Sequence, residues 1–565
     1  MLVPKRNRDE ETAESDSKRV KLGPSSPILN AIELVGLTEK AVMDGRHNLS
    51  LLTGPELVSV LDKIGTEVSV ISDYTTLSQT AATLRDSSFE DINLISSSVD
   101  TQLPVIGMRD LYVRQAYLDL YDVIDKKFNS TKRNYNNVKK HVAVTGTAGI
   151  GKSVFLVYFT IRILATSSEN NPPIIIIQRK EDSRCFAFGG LETVREGDLK
   201  DFEPFLELPG TWYLVDSSPN PLLPAAKTII AASPKTLYSE ASNSYQDIDK
   251  RISWRYYMAP WTLEELEVCR KTVRAYEKRV SKTFLKELYN MIGGVPRYVL
   301  ERPKDVLDLD QFDHRLAKQT AYERVQRALD NIKDPLVLMQ YFAQGKDSLV
   351  YSSRLLHRWP KQDHNTFYLE WASEHIAEEV RKTVDDTAWQ QILTKLVKDT
   401  AGDAKGPMFE LYVRHIFRRE GGSKFQVVDL QDDFKTILNI PTKPTVEFFD
   451  EIKKGVARRT LYVPKSSNFA CVDMLISPDR LLQVTVSKRH PIKSEPFKVL
   501  LNNLVEKKWI KASKDAKLIF VVPRRISADF EKQKYENARK VLNDDEVPAL
   551  IKDVKQYVLW IDLEE

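Results

Sequence analysis

Short apolar runs alternate with longer stretches between residues 141 and 232. Runs of about five apolar residues bounded by polar ones are typical of buried strands, whereas the length of Lys152–Ala165 is typical of a helix. Strands that alternate with helices in this way predict a parallel sheet covered by helices. The predicted strands are His141–Thr145, Pro173–Ile177, Thr211–Val215 and Lys227–Ala232.

The spacing of apolar residues changes after this region. Leu263–Met291 has helical spacing and ends at Gly293-Gly294, with Pro296 just beyond as a stop signal. From Val306 to Asp403, charged residues interleave with apolar ones at spacings of three and four residues. This spacing predicts a helical linker domain.

A third pattern begins at Pro407, where the predicted order of elements is α-β-β-β-α-β. Ser477-Pro478-Asp479-Arg480 joins two apolar runs and predicts a hairpin. The predicted elements are the helix Phe409–Phe417, the strand Phe425–Leu430, the hairpin strands Phe469–Ile476 and Leu481–Val486, the helix Lys498–Trp509 and the strand Leu518–Val522.

The turn between the first predicted strand and its helix contains a phosphate-binding pattern. The segment Gly146-Thr147-Ala148-Gly149-Ile150-Gly151-Lys152-Ser153 matches G-x4-G-K-S, the P-loop. Its glycines let the loop curl until backbone N–H groups face phosphate oxygens, and the helix N-terminus adds its positive dipole end. We expect Lys152 to reach the β- and γ-phosphates of ATP or GTP, and the Ser153 hydroxyl to bind Mg²⁺.

Three further residues are candidates for the nucleotide site. Asp216 ends the apolar run that starts at Thr211, and we expect it to hold Mg²⁺ directly or through water. Ser233 follows the next predicted strand and is either a γ-phosphate sensor or a strand-end cap. Arg297, which closes the segment Gly293-Gly294-Val295-Pro296-Arg297, is either a phosphate sensor or a surface residue of a helix-ending turn.

The residue after Asp216 bears on hydrolysis. Many hydrolysing P-loop proteins have Glu at this position to orient water, whereas this chain has Ser217. We therefore expect an ATPase or GTPase whose general base is not identified, and the pattern does not favour rapid hydrolysis.

The predicted C-terminal hairpin contains a second candidate site. Metal-dependent nucleases often place Asp on one hairpin strand and Glu-x-Lys on the next, where the carboxylates hold Mg²⁺. Asp473 lies in an apolar run, where a charge is unfavourable unless it is paired or bound to a metal. Gln483 stands at the Glu position and still offers a carbonyl oxygen, but Thr485 stands at the Lys position. Glu410 could supply a further carboxylate, and Lys488, His490 or Lys493 could reach in from the strand end. The alternative is that Asp473 is paired in a structural polar network.

Basic residues around this hairpin could follow a nucleic-acid backbone, with Trp509 nearby for stacking. They are Lys488, Arg489, Lys493, Lys498, Lys507 and Lys508. A solvated helix face explains the last three equally well.

Composition adds few constraints. The formal net charge of the 565 residues is +4, with a mild basic excess in the C-terminal third. That excess fits phosphate-backbone contact or an ordinary solvated surface. The three cysteines are scattered and support neither a disulfide framework nor a zinc site, which fits a reducing compartment. The absence of an apolar run of membrane-spanning length predicts no membrane association.

The N-terminal tail contains two basic clusters separated by an acidic, serine-containing spacer. Lys5-Arg6 and Lys18-Arg19-Val20-Lys21 resemble a bipartite nuclear import signal, which would dock in acidic grooves of an import receptor. Such clusters also occur by chance in disordered tails. The import signal predicts a nuclear location, in the producing cell or in a host cell.

Several segments together resemble the Crinkler effectors and the retrotransposon-hot-spot proteins of eukaryotic microbes, over about residues 105–560. The segments are Met108–Arg114, Gly146–Ser153, Tyr213–Asp216, Tyr257–Leu266, Gly293–Tyr298, and Leu482–Val486 with His490-Pro491-Ile492. The resemblance implies an NTPase of the ring-ATPase or signal-switch type coupled to a restriction-endonuclease-like domain. It also implies nucleotide roles for Lys152, Ser153, Asp216 and Arg297, and metal or cleavage roles for Glu410, Asp473 and Gln483.

The predicted fold class is accordingly α/β, with a P-loop NTPase domain built on a parallel sheet, a helical linker domain and a C-terminal α/β restriction-endonuclease-like domain. The predicted boundaries are 1–26 for a disordered tail, 27–105 for a region without assigned chemistry, 106–305 for the NTPase domain, 306–405 for the helical domain and 406–565 for the nuclease-like domain.

Three functions remain open at this level. The first is a nuclear protein in which ATP or GTP gates a Mg²⁺-dependent DNA endonuclease, as in a cytotoxic Crinkler-type effector. The second is a nucleotide-dependent switch that binds nucleic acid or nuclear proteins without cleavage and could form homo-oligomers. The third is a structural regulator with a relic P-loop.

Overall fold

The computed structural model describes most of the chain between residues 49 and 562. The described residues are 31, 49–129, 141–179, 184–217, 221–233, 254–309, 313–330, 354–360, 364–383, 405–417, 423–432, 434–440, 445–449, 452, 455, 460–464, 471–537 and 540–562. The predicted tail and import signal in residues 1–26 lie outside them, as do residues 331–353 and 384–404 of the predicted helical domain.

The elements of the first 300 residues are numbered in chain order. The strands are β1 Thr66–Glu67, β2 Leu94–Ser96, β3 Asp110–Tyr112, β4 His141–Thr145, β5 Ile174–Gln178, β6 Arg184–Gly189, β7 Thr193–Asp198, β8 Trp212–Asp216, β9 Lys227–Ala231 and β10 Trp254–Tyr257. The helices are α1 Gly54–Leu61, α2 Asp73–Thr83, α3 Gln115–Asn129, α4 Lys152–Ala165, α5 Leu199–Leu206, α6 Leu263–Thr272, α7 Arg274–Glu277 and α8 Lys282–Ile292.

The remaining elements follow the same numbering. The strands are β11 Leu356–Pro360, β12 Phe367–Trp371, β13 Ser423–Asp429, β14 Lys435–Ile440, β15 Thr445–Phe449, β16 Thr460–Pro464, β17 Met474–Ile476, β18 Arg480–Val484, β19 Ile492–Lys493, β20 Lys517–Pro523, β21 Tyr535–Asn537, β22 Lys540–Val541 and β23 Lys555–Ile561. The helices are α9 Arg302–Leu309, α10 His314–Asp330, α11 Glu374–Thr383, α12 Lys405–Phe417, α13 Ser494–Glu506, α14 Arg524–Ser527 and α15 Ala549–Lys552. None of these helices combines the length and apolar character that crossing a bilayer requires.

Two compact units alternate along the sequence. The first comprises Met1–Arg109, Asp125–His141 and Leu156–Ile230, and the second comprises Asp110–Ile124, Val142–Phe155 and Ala231–Glu565.

The first unit contains a mixed sheet, which corrects the prediction of a parallel one. Its strands follow the order β1-β7-β6-β5-β8-β9, and β5 pairs in parallel with β8 but antiparallel with β6. β6 and β7 form a hairpin that the sequence pattern did not predict. β6 contains only the short apolar run Cys185–Phe188, and β7 includes charged residues such as Arg195 and Glu196 and has no apolar run.

Residues 49–84, which belong to the region to which the sequence assigns no chemistry, pack on this sheet. β1 extends the sheet by pairing antiparallel with β7. The ring of Tyr74 in α2 stacks on Phe186 of β6 at 3.6 Å between centroids. Arg195 of β7 donates through Nε to the carbonyl oxygen of Ile64 at 2.9 Å. Residues 49–84 therefore both extend this sheet and pack against it.

The second unit contains β4 and β10 as a parallel pair, and a hairpin that corrects the prediction of an all-helical segment. β11 pairs antiparallel with β12, within residues 306–405. Aromatic residues such as Trp359 and Phe367 favour strands, and the ring of Phe367 lies 4.7 Å from that of Tyr257 in β10. Packing against β10 therefore favours strands in this segment, although its charged residues have helical spacing.

The segment Leu263–Met291 is also not one helix. It consists of α6, α7 and α8, because Val273 is extended and Ser281 caps a new helix by accepting a hydrogen bond from the Phe284 N–H at 3.1 Å. The predicted stop is confirmed, since α8 ends at Ile292 and is capped by Gly293, which has a positive φ of 81°.

The C-terminal part of the second unit is built on an eight-stranded sheet of order β14-β13-β23-β20-β18-β17-β16-β15. β17 and β18 form the predicted hairpin, which is shorter than expected, and β18 pairs in parallel with β20. Helix α13 connects these two strands and buries Phe497 and Leu501 against the sheet. The described elements thus include the predicted helix, hairpin, helix and strand.

A buried arginine joins the P-loop to the segment after β10. Arg114 is 1% exposed, and its guanidinium donates to both carboxylate oxygens of Glu265, at 3.2 and 3.1 Å. It also donates to the carbonyl oxygens of Ala259 and Pro260, both at 3.1 Å, and of Ile150 at 3.4 Å. These bonds fix the position of the loop's Ile150 relative to helix α6.

We expect Arg114→Ala to destabilise the second unit by about 3–5 kcal/mol, because it removes the cation from the Glu265 carboxylate and the donor to the Ala259 and Pro260 oxygens. The Ile150 oxygen keeps its bond from Trp261. The measurement is the urea midpoint, followed by circular dichroism. Arg109→Ala is the matched control, since Arg109 is half-exposed and its bond to Asp100 is a surface ion pair. Equal midpoints for the two variants would contradict the anchoring role.

Candidate functional site

The P-loop requires glycine at its turning points. Gly146 has a φ of 135° and Gly151 a φ of 103°, in the region that side chains rarely adopt. A Cβ on Gly151 would lie 2.4 Å from Oη of Tyr117, and one on Gly146 would lie 2.7 Å from the carbonyl oxygen of Met258. The loop is therefore enclosed by neighbouring residues as well as curled.

Several carbonyl oxygens of this loop already accept hydrogen bonds from the protein. The Ile150 oxygen accepts from Nε1 of Trp261 at 2.8 Å, and the Gly151 oxygen accepts from the Tyr117 hydroxyl at 3.0 Å. Nζ of Lys152 donates to the oxygens of Gly146 and Thr147, both at 3.0 Å. Lys152 is only 8% exposed, so its ammonium is held against the loop that the sequence assigns to phosphate.

The predicted sensor Arg297 lies beside the P-loop. A Cβ on Gly149 would be 3.0 Å from Cγ1 of Val295 and 3.4 Å from Cβ of Arg297. Arg297 begins a short π-helical turn after Gly293-Gly294, and its Nε lies 3.7 Å from the Glu301 carboxylate. The side chain is half-exposed, so it keeps room to turn toward a bound phosphate.

Asp216 and Ser233 occupy the ends of their strands. Asp216 is the last residue of β8 and is partly buried, in the first unit. Ser217 has a positive φ of 50°, so the chain turns sharply where many hydrolysing proteins have Glu. Ser233 follows β9 by two residues and is partly buried. Their roles toward a nucleotide stay predictions.

Sequence reasoning missed one contact of the loop. The backbone N–H of Arg358 in β11 donates to Oγ1 of Thr147 at 3.0 Å, and both residues are almost fully buried. The guanidinium of Arg358 lies over the ring of Phe367 at 4.9 Å. The aromatic residues of this segment were the available signal for a strand.

The second candidate site lies where helix α12 meets the β17–β18 hairpin. Asp473 directly precedes β17, and its Oδ2 accepts a hydrogen bond from the Val484 N–H at 2.6 Å. Gln483 in β18 is 6% exposed, and its Nε2 lies 2.8 Å from Nε2 of His490. Burial, and then the charge of Lys493, lowers the pKa of His490. The other amide atom of Gln483, Oε1, is buried and has no hydrogen-bond partner among the described residues.

Two carboxyl groups of this site pair with one buried arginine, and two more carboxyl groups interact with them electrostatically. Arg414 of α12 is 8% exposed and makes ion pairs with Glu374 and Glu410. Burial is the first cause that raises the pKa values of Glu410 and Asp473, and the mutual repulsion of the carboxylates adds to it. Burial, and then the charge of Glu410, raises the pKa of Glu370 to about 7. We call Glu370, Glu374, Glu410 and Asp473 the carboxylate cluster. Its members Glu370 and Glu374 were not predicted from the sequence.

Other predicted nuclease residues are not part of this cluster. Lys488 is half-exposed, and its Nζ pairs with the Asp529 carboxylate at 2.6 Å. Thr485 is buried, and its Oγ1 accepts a hydrogen bond from the Ser487 N–H at 3.1 Å. Trp509 is buried against Tyr462, with 4.8 Å between ring centroids, so it is not exposed for stacking on a base.

The arrangement does not fit a bound Mg²⁺. Within the part of the chain that the structure describes, no group of three or more His, Cys, Asp or Glu side chains is arranged to hold a metal ion. Arg414 neutralises Glu410, which is one of the predicted ligands. A cation is therefore already present in the cluster, and it is an arginine.

We expect Glu370→Gln to raise the thermal midpoint at pH 8 and to have no such effect near pH 4.5. The folded protein holds the Glu370 proton up to about pH 7, whereas an unfolded chain releases it near the ordinary value of 4.5. Folding therefore loses stability as the pH rises from 4.5 to 7, and the loss persists above 7. Glutamine has no ionisable proton, so the Glu370→Gln variant does not lose stability over this pH range.

The control for this pH series is Glu531→Gln, at an exposed position of the same unit. It should leave the thermal midpoint unchanged at both pH values. A gain in Glu370→Gln that is the same at pH 4.5 and pH 8 would show that burial of the charge is not its cause.

Comparison with solved structures finds similarity at low TM-scores. The branch-migration motor RuvB of Thermotoga maritima has a TM-score of 0.23 and 15% identity, and covers 38% of this chain and 76% of its own. The ORC2 protein of Aeropyrum pernix has a TM-score of 0.26 and 11% identity, and covers 42% and 75%. DnaA of Aquifex aeolicus has a TM-score of 0.23 and 11% identity, and covers 54% and 87%. Scores this low support no conclusion about function.

Comparison with protein families and curated proteins is more informative. No family model matches the chain. Crinkler effector proteins 15 and 16 of Phytophthora infestans are 22% and 23% identical to it over 412 and 414 residues, which is 69% of this chain. The matched part spans 60% of the length of each relative. These matches confirm the resemblance to the Crinkler effectors that the sequence motifs indicated.

Proposed function

We propose that this protein is a nucleotide-dependent switch that binds ATP or GTP at its P-loop. The observation that carries the proposal is the shape of the loop. Its glycines have positive φ, the oxygens of Ile150 and Gly151 accept bonds from surrounding side chains, and Lys152 is held against it. A loop of this kind binds phosphate through the remaining N–H groups and the lysine ammonium.

In this proposal the individual residues have the roles that the sequence predicts. Lys152 binds the β- and γ-phosphates, and Arg297 senses the terminal phosphate from beside Gly149. The Ser153 hydroxyl and the Asp216 carboxylate are oxygen donors of the kind that Mg²⁺ prefers. Mg²⁺ supplies charge that offsets the phosphates. Hydrolysis is slow in this proposal, because Ser217 cannot act as a carboxylate base.

The C-terminal domain is the part that the switch controls. It binds nucleic acid, most readily DNA, or nuclear proteins, through exposed basic residues such as Arg489, Lys493 and Lys508. The tail's basic clusters direct the protein to the nucleus through an import receptor. The matched relatives are named Crinkler effector proteins, and the chain spans 60% of their length. We therefore include an effector role in the proposal.

A second function, a DNA endonuclease gated by nucleotide, is favoured by one observation. Oε1 of Gln483 is a buried carbonyl oxygen without a partner, in the hairpin that also carries Asp473. Against it are the neutralised Glu410 and the absence of a lysine at Thr485. The two functions differ in whether DNA is cut.

We expect Lys152→Ala to weaken nucleotide binding by at least about 10-fold, because a charge-assisted bond to phosphate contributes about 1.5–3 kcal/mol. The measurement is a titration with fluorescent ATP and GTP analogues, which also tells the two nucleotides apart. Lys271→Ala is the control, since Lys271 is exposed on α6. Unchanged affinity in Lys152→Ala would mean that the loop is a relic.

We expect the nucleotide-free protein with Mg²⁺ not to cut supercoiled plasmid DNA, because Arg414 neutralises Glu410. The measurement is gel electrophoresis with and without ATP, beside Asp473→Asn and the exposed control Asp529→Asn. Cutting that requires ATP and is lost only in Asp473→Asn would establish the gated endonuclease. DNA binding without cutting under any condition would leave the nucleotide-dependent switch as the only remaining function.

A further inference from the structure

The position of Lys152 marks the end of the P-loop at which the outer phosphates of a nucleotide bind. Its ammonium lies 3.0 Å from the carbonyl oxygens of both Gly146 and Thr147. The lysine of a P-loop reaches the β- and γ-phosphates of its nucleotide. A γ-phosphate bound by Lys152 would therefore approach the residues that surround Gly146 and Thr147.

Strand β11 brings an arginine to this end of the loop. The backbone N–H of Arg358 donates to Oγ1 of Thr147 at 3.0 Å, and Arg358 is 3% exposed. Because the donor is a backbone group, the bond fixes where β11 passes the loop without using the guanidinium. Arg358 is therefore held beside the residue whose carbonyl oxygen accepts from Lys152.

Two aromatic rings determine where the guanidinium of Arg358 lies. It is 4.9 Å from the ring centroid of Phe367 in β12, and the Phe367 ring is 4.7 Å from that of Tyr257. Tyr257 is the last residue of β10, and its partner in the parallel pair is Thr145, the last residue of β4. The rings therefore hold the cation near the carboxyl ends of β4 and β10. Ligands of α/β proteins bind at this edge of a parallel sheet.

Backbone hydrogen bonds connect the aromatic rings with the start of the P-loop. The Tyr257 N–H donates to the His364 oxygen, between β11 and β12, at 2.7 Å. The Met258 N–H donates to the Thr145 oxygen at 2.8 Å, and a Cβ on Gly146 would lie 2.7 Å from the Met258 oxygen. All of these residues belong to the second unit. The cation is therefore held by strands on both sides, as a preorganised binding group requires.

The chemistry of arginine suits a phosphate at this position. A guanidinium stays charged at physiological pH and donates two parallel hydrogen bonds to phosphate oxygens. The attraction between opposite charges is also stronger where water is excluded, as it is around the buried Arg358. The predicted sensor Arg297 differs in both respects, since it approaches Gly149 and its side chain is half-exposed.

We propose that Arg358 binds the terminal phosphate of a nucleoside triphosphate at the P-loop, and that it makes this site prefer the triphosphate over the diphosphate. The guanidinium of Arg358 and the ammonium of Lys152 bind oxygens of the γ-phosphate together. A diphosphate lacks the group that Arg358 holds, so the arginine adds affinity for the triphosphate alone. This inference rests on the proposed nucleotide binding and adds the residue that detects the third phosphate.

The test compares two nucleotides on the full-length protein. Fluorescent analogues of ADP and of a non-hydrolysable ATP are titrated with Mg²⁺, beside the matching guanine pair. Arg358→Gln should weaken triphosphate binding by about 10-fold or more, the contribution of a hydrogen bond between charged groups. Diphosphate binding should stay unchanged. The backbone bond to Thr147 does not depend on the side chain at position 358, so a displaced β11 would not explain a loss confined to the triphosphate.

Arg302→Gln is the matched control. Arg302 also lies over an aromatic ring, that of Tyr298 at 5.4 Å, and belongs to the same unit. This variant should bind both nucleotides as wild type does. Arg358→Lys is a second variant in case Arg358→Gln does not fold. It keeps the charge but loses the forked donors, so triphosphate affinity should again fall more than diphosphate affinity.

Each outcome has a distinct meaning. Equal losses for triphosphate and diphosphate in both Arg358 variants, or no loss in either, would overturn the role of Arg358 and leave the nucleotide-dependent switch in place. Wild type that binds neither nucleotide would overturn the proposed function and this inference together. A loss confined to the triphosphate and absent from Arg302→Gln supports the proposal.

Discussion

The placement of the P-loop depends on one buried cation. Arg114 is almost fully buried, and a guanidinium can be removed from water only if its donors find acceptors. The structure supplies these acceptors as the Glu265 carboxylate and the carbonyl oxygens of Ile150, Ala259 and Pro260. Meeting this requirement fixes the end of the loop against the segment between β10 and α6. The ring of Trp261 lies 4.3 Å from the guanidinium, and its Nε1 donates a hydrogen bond to the Ile150 oxygen.

The two candidate sites differ in how their buried charges are balanced. The P-loop carries one ammonium, Lys152, and satisfies it with backbone oxygens that a phosphate can replace. The carboxylate cluster carries four acidic groups, and a single arginine and raised pKa values reduce their repulsion. The first site is therefore open to an anion, whereas the second already holds its counter-charge.

The departures from the nuclease and hydrolase patterns have visible structural counterparts. Thr485, in place of a lysine, is buried and bonded to the backbone of Ser487, so it offers no cation. Lys488 is turned to Asp529 at the surface. Ser217, in place of a glutamate, lies in a left-handed turn after β8. Each departure is accommodated without disturbing the surrounding elements.

The sequence by itself determined the elements that depend on neighbouring residues. The P-loop with β4 and α4 at the predicted bounds, the stop at Gly293 and the β17–β18 hairpin follow from turn chemistry and local spacing. Tertiary structure alone decided the mixed sheet, the β11–β12 hairpin and the carboxylate cluster. β7 has no local apolar pattern, and β11 lies in a segment whose charged residues have helical spacing. Both form strands because β6 and β12 pair with them. Glu374, Arg414 and Asp473 are far apart in sequence, so no spacing could show that they share one buried environment, where the free energy of charge burial requires them to pair.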